Sequence, residues 1–248
     1  MKLSVALCFA GVFGALAAVF TFLSFGTDYW LIGSETCSPD SKDSEDNGGL
    51  TITLAADVVH DEGGDTISYH SGFFWTCYFG QMFDSNLNKT AAVVFSNKNF
   101  VKACYPSYLY PFPQESPTNN TTNDNSAIIY RGFWSVFMLI SVATVAIGGF
   151  LIICAAPFAN HCLYKAGGGL FLTSGFFLLG VVVMHVVWLQ ALDVIQTYIE
   201  HSRSHHCPDF TLTLSYGLSF VFAPIGVLFS FLAGLLFLLI GRTVRIHH

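Results

Sequence analysis

The sequence is short of charge. Of its 248 residues only 10% are Asp, Glu, Lys or Arg, against about 25% in an average soluble domain. That shortage excludes an ordinary soluble globular chain and points to a membrane protein. Basic residues are scarcer still, ten against sixteen acids, for a net charge of −6. A phosphate-binding face needs a basic excess, so nucleic acid is not an expected partner. Paired carboxylates and nucleophile–base pairs are missing from the apolar runs, which argues against an enzyme or an ion-coupled transporter there. No cofactor motif is present. Gly167-Gly168-Gly169 lacks the spacing and the trailing Gly-Lys-Ser/Thr of a phosphate loop.

What the sequence has is long apolar runs. Residues 3–25, 132–156, 168–192 and 216–240 each hold enough apolar side chains to cross a bilayer, which takes roughly 20 residues. None contains Asp, Glu, Lys or Arg, and His185 is the one ionisable side chain among them apart from Cys and Tyr. The division expected is a first span in 1–26, a long loop in 27–127, a second span in 128–156, a link in 157–167, a third span in 168–192, a second loop in 193–215, a fourth span in 216–241 and a tail in 242–248. The first run exceeds the 7–15-residue core of a signal peptide, so a retained span is expected. Small residues in it give two candidate packing faces, one through Gly11, Ala15 and Ala18, the other through Gly14 and Ala17.

Charge sets the expected orientation. Lys2, Lys165, Arg242 and Arg245 share one side with no acid, and all sixteen acids fall on the other. The positive-inside rule makes both termini and the link cytoplasmic. Three sequons, at Asn88, Asn119 and Asn120, then face outward, where glycosylation occurs.

The first loop reads as strands separated by an acidic stretch. Residues 50–54 and 66–69 alternate apolar and polar, and 73–79 and 91–95 are rich in aromatic and β-branched residues. The acidic stretch 38–64 lacks the ligand spacing of a calcium loop. Prolines at 106, 111, 113 and 117 mark an extended segment outside the sheet. His201, His205, His206 and Cys207 lie close together but fit no structural zinc pattern, and no metal site is expected.

Seven cysteines divide by compartment. Cys8, Cys154 and Cys162 are expected to be free, with Cys162 a candidate for acylation beside the membrane. Cys37, Cys77, Cys104 and Cys207 face outward and allow three pairings. Cys77 with Cys104 closes the shorter loop, which leaves Cys37 for Cys207 and ties the two outer loops together. His185 is expected to make an interhelical hydrogen bond. Arg131, at the mouth of the second span, is expected either to snorkel to the head groups or to turn back and pair with a carboxylate or with strand-end carbonyls.

Trp30, then Gly72-Phe73-Phe74-Trp75-Thr76-Cys77, then Cys104, with Arg131 closing the loop, resemble the signature of the claudin and peripheral-myelin-protein superfamily. One residue separates Trp75 from Cys77 where claudins usually have two. Residues 25–31, 129–134, 151–159, 163–169 and 232–236, with the Ile246-His247-His248 end, look like the transmembrane protein 182 family within it. The resemblance implies a claudin-like fold, a four-transmembrane-helix bundle with a small extracellular antiparallel β-sheet. In it Trp30 and Trp75 would pack the sheet and Cys77 would pin the strand beside them. It also implies a non-enzymatic, multi-pass plasma-membrane protein that associates with integrin beta-1 and restrains myogenic differentiation and myoblast fusion. A claudin-like junction protein and an auxiliary channel subunit are the alternatives.

Overall fold

The computed structural model describes residues 3–37, 51–54, 65–80, 101–106, 122–158, 161–191, 199–200, 203 and 210–247. The three sequons, the histidine-rich segment around Cys207, the expected strand at 91–95 and most of the acidic stretch lie outside them. The described chain forms two compact units, one of helices and one built on a sheet.

The helices are α1 (Leu3–Gly26), α2 (Thr122–Phe158), α3 (His161–Ala191) and α4 (Leu218–His247), and the helical unit takes α1, α2 from Ile129, α3 to Trp188 and α4 from Ser219. All four are long and apolar enough to cross a membrane. Their helicity follows from the solvent: in lipid a backbone satisfies its polar groups only within itself, which also makes Pro157 and Pro224 tolerable inside helices. α2 starts at Thr122, earlier than the apolar run that marks its span, and α3 starts at His161, seven residues before its run.

Small residues set the packing. Ala10, Gly14, Ala17, Thr21 and Ser24 form the buried stripe of α1, whereas Gly11 and Ala15 are exposed. Of the two expected faces, the one through Gly14 and Ala17 is used. A Cβ on Gly14 would touch the rings of Phe171 on α3 and Phe237 on α4 at 3.4 Å. α3 and α4 come closer still: a Cβ on either Gly168 or Gly234 would meet the other's carbonyl oxygen at 2.9 Å. Between α2 and α3, Ser141 and Ser174 are fully buried and each hydroxyl donates to the other's carbonyl, at 3.1 and 2.9 Å. A mutual hydroxyl clasp of this kind is worth about 1 kcal/mol in a membrane interior. Ile153, Phe150 and Phe176 are well exposed, as lipid-facing side chains should be.

The second unit holds a six-stranded sheet in the order β2-β6-β1-β3-β4-β5. Its strands are β1 (Leu31–Cys37), β2 (Thr51–Leu54), β3 (Asp65–Ser71), β4 (Trp75–Gly80), β5 (Val101–Pro106) and β6 (Phe210–Tyr216). All neighbours are antiparallel except β2 and β6, which run parallel. The sheet is therefore mixed at one edge, and β6, from the second loop, lies between two strands of the first. Pro106 ends β5 opposite Trp75, so the proline-rich segment begins one residue inside the sheet.

Alternation fixes the two faces. Phe210, Leu212, Leu214 and Tyr216 of β6 share one face with Leu31 and Gly33 of β1, Tyr69 of β3 and Tyr78 of β4, and all are buried. Gly33 is required there because the Tyr69 ring lies across it. The opposite face carries Thr211, Thr213, Ser34 and Ser68, at least partly exposed.

Candidate functional site

Of the signature residues, Trp30, Gly72 and Trp75 meet at one corner of the sheet unit, where Asp28-Tyr29-Trp30 passes between the turn after β6 and the β3–β4 turn. Trp30 N–H donates to Ser71 O at 3.0 Å, and Gly217 N–H donates to Trp30 O at 3.2 Å. A Cβ on Gly72 would overlap the Asp28 backbone, and one on Gly217 would overlap the Tyr29 carbonyl. Glycine at both positions lets two backbones meet where no side chain fits. The Asp28 carboxylate accepts from Phe74 N–H at 3.4 Å, and Gly72 N–H donates to Trp75 O at 2.9 Å to close the turn.

His70 completes the corner. Its Nδ1 donates to Asp28 O at 2.8 Å, which fixes a proton on Nδ1 because a carbonyl can only accept. Its ring stacks on Tyr29 at 4.4 Å between centroids, with 19° between planes. Sequence reasoning passed over His70. An alternating strand places it opposite Cys77, and that register was the only signal available.

Cys77 and Cys104 are joined by a disulfide across directly paired positions of β4 and β5, with Cα atoms 4.0 Å apart. Closing that 27-residue separation removes about 3–4 kcal/mol of chain entropy from the unfolded state. Cys37 stands opposite Phe210 at the end of β1, and its expected partner Cys207 lies outside the described residues. Cys8, Cys154 and Cys162 are free thiols.

The two tryptophans of the signature part company. Trp30 is buried at 1% exposure, whereas Trp75 is 46% exposed and its neighbour Phe74 42%. Trp75 is thus a surface residue at the start of β4, and the packing role expected of it falls to Trp30. Tyr105, one strand over on β5 and 41% exposed, lies on the other face of the sheet from Trp75, edge-on to Tyr78 at 6.2 Å between centroids. The Phe73 ring meets Phe74 edge-on at 4.9 Å and limits how that side chain can turn.

Arg131 belongs to the helical unit. Its guanidinium lies over the Trp134 ring, 5.1 Å from the centroid. The Trp134 ring stacks on His185 of α3 at 5.9 Å, and His185 also faces Trp188 at 6.1 Å and Phe220 of α4 at 5.7 Å. What surrounds His185 is aromatic rings from three helices. Among the described residues no group of three or more His, Cys, Asp or Glu is arranged to hold a metal ion.

A disulfide-pinned sheet, a gripped Trp30, two glycine crossings and four spanning helices form one recognisable pattern. A family model described as PMP-22/EMP/MP20/Claudin tight junction matches residues 15–239. The chain belongs to that family. Within it, the chain is 54% identical to transmembrane protein 182 of Danio rerio, 45% to that of Xenopus tropicalis and 40% to that of Homo sapiens. Each alignment covers the whole of this chain and 99% or more of the relative. As a claudin-family member it is a multi-pass membrane protein with a small extramembrane sheet. In this chain Trp30, Gly72 and Gly217 build the sheet corner, and the Cys77–Cys104 disulfide joins β4 to β5 beside it.

Proposed function

We propose that this protein is a non-enzymatic plasma-membrane regulator of cell-adhesion signalling. It associates with integrin beta-1 through its sheet and so restrains myogenic differentiation and myoblast fusion. The observation that carries the reading is the pair of open aromatics Phe74 and Trp75 at the start of β4, a strand that a disulfide ties to its neighbour. Exposed aromatics on a rigid support are the side chains that dominate protein interfaces, because their area is large and little freedom is lost on binding. The partner is the one that the resemblance to the transmembrane protein 182 family implies.

In this reading both termini are cytoplasmic and the sheet is extracellular, with glycans at Asn88 and at Asn119 or Asn120. The inner positions Lys165, Arg242 and Arg245 support that orientation. The test is co-precipitation of integrin beta-1 from surface-labelled muscle cells expressing the wild type or the double variant Phe74→Ala, Trp75→Ala. Recovery should fall several-fold with equal surface expression. Undiminished recovery would remove the sheet edge from the interface.

A further inference from the structure

Lys165, Arg242 and Arg245 come together where α3 begins and α4 ends. The Lys165 stem lies against the α4 backbone: a Cβ on Gly241 would meet its Cγ at 2.9 Å and the His161 carbonyl oxygen at 3.2 Å. Arg242 follows Gly241 directly, and Arg245 stands one helical turn beyond it. Lys165 is half-buried, and both arginines are exposed. All three lie close to the ends of spanning segments, which run His161–Leu189 and Leu218–Arg245. No Asp or Glu occurs in 1–27, 125–192 or 210–248, the segments that supply α1, α3, α4 and the spanning part of α2. The bundle therefore brings no carboxylate to these three cations.

We propose that this surface binds the head group of an anionic phospholipid in the leaflet it faces. Depth selects a lipid over a soluble anion. Head groups lie at the ends of spanning helices, and a lysine stem laid along an apolar helix delivers its ammonium there. The guanidinium of arginine adds a planar fork that takes phosphate or carboxylate oxygens in pairs. The acyl chains have a track beside the cations. Leu232, Leu235 and Leu239 of α4 are exposed and recur at helical spacing, so they form one stripe, and Arg242 continues it one turn further. From Leu232 to Arg242 the helix rises about 15 Å, half of the roughly 30 Å hydrocarbon core and so the depth of one leaflet. Only the naming of that leaflet as cytoplasmic rests on the orientation proposed above.

The test uses the full chain in neutral maltoside micelles and native mass spectrometry, with palmitoyl-oleoyl phosphatidylserine and the matching phosphatidylcholine at equal concentration. The wild type should retain phosphatidylserine about tenfold or more over phosphatidylcholine, and the preference should shrink as salt is raised. Each cation is expected to contribute about fivefold, so Arg242→Gln with Arg245→Gln should lower phosphatidylserine retention about tenfold or more. Arg242→Lys with Arg245→Lys keeps both charges and should retain most of the lipid. Should the glutamine pair fail to fold, Arg245→Gln alone decides the matter. Equal retention of the two lipids by the wild type, or undiminished phosphatidylserine on the folded glutamine variant, overturns the site. Displacement by millimolar glycerophosphoserine overturns the lipid as occupant. Capture of a hexaglutamate peptide with no preference between the lipids gives the surface to an acidic protein segment instead. Micelles have no sides, so an error in the proposed orientation leaves each of these outcomes unchanged.

Discussion

Trp30 and Trp75 carry the same side chain into opposite environments, and the difference is measurable. Truncating a buried tryptophan costs about 3–5 kcal/mol, a large part of a domain's stability. Trp30→Ala should therefore be held inside the cell, scored as loss of surface biotinylation. Trp75→Ala removes a half-exposed ring and should reach the surface at close to wild-type level while binding partner more weakly. Gly72→Ala is a smaller change with a larger expected cost, because its methyl would overlap the Asp28 backbone. The melting temperature of the purified variant should fall by several degrees, as about 1–3 kcal/mol of overpacking implies. Both tryptophans were legible as signature positions, since a run of aromatics beside a cysteine stands out in a polar loop. Which of them is buried was not legible. Alternation assigns a residue to a face, but Trp75 sits at the first position of its strand, where the face ends.

Among the elements, helices α1 to α4 could be read almost directly, because lipid enforces helix over any long apolar run. Their ends could not: α2 and α3 continue through polar residues that hydropathy assigns to loops. In the sheet, β2 and β3 follow visible alternation and β4 shows in its aromatic and β-branched content, whereas β1, Leu31–Cys37, went unnoticed because Gly33 and Ser34 interrupt its apolar pattern. Its strand character is conferred by β3 and β6 on either side. The face of α1 that packs was similarly ambiguous, since its small residues occupy more than one side. The Gly168–Gly234 crossing gives a sharp prediction for this scale. Gly234→Leu has no room against the α3 backbone, and should broaden or abolish the thermal transition of the helical unit in detergent. Gly149→Leu, where a Cβ meets open space, should not. The Cys77→Ser variant tests the sheet in the same way: losing about 3–4 kcal/mol of cross-link stabilisation should increase intracellular retention, and Cys104→Ser should match it.

For the whole molecule, the membership is that of a claudin-family protein, and the proposal is that its working surface is the sheet edge. In that proposal the sheet unit carries the binding surface and the helical unit the membrane anchor. In this proposal integrin beta-1 meets the sheet at Trp75. The most direct measurement places a photo-crosslinking amino acid at position 75, or at the lipid-facing position 176, in differentiating muscle cells. An integrin beta-1 adduct is expected from position 75 and none from position 176. An adduct from 176 with none from 75 would contradict it, and would move the interface from the sheet to the surface of the helices.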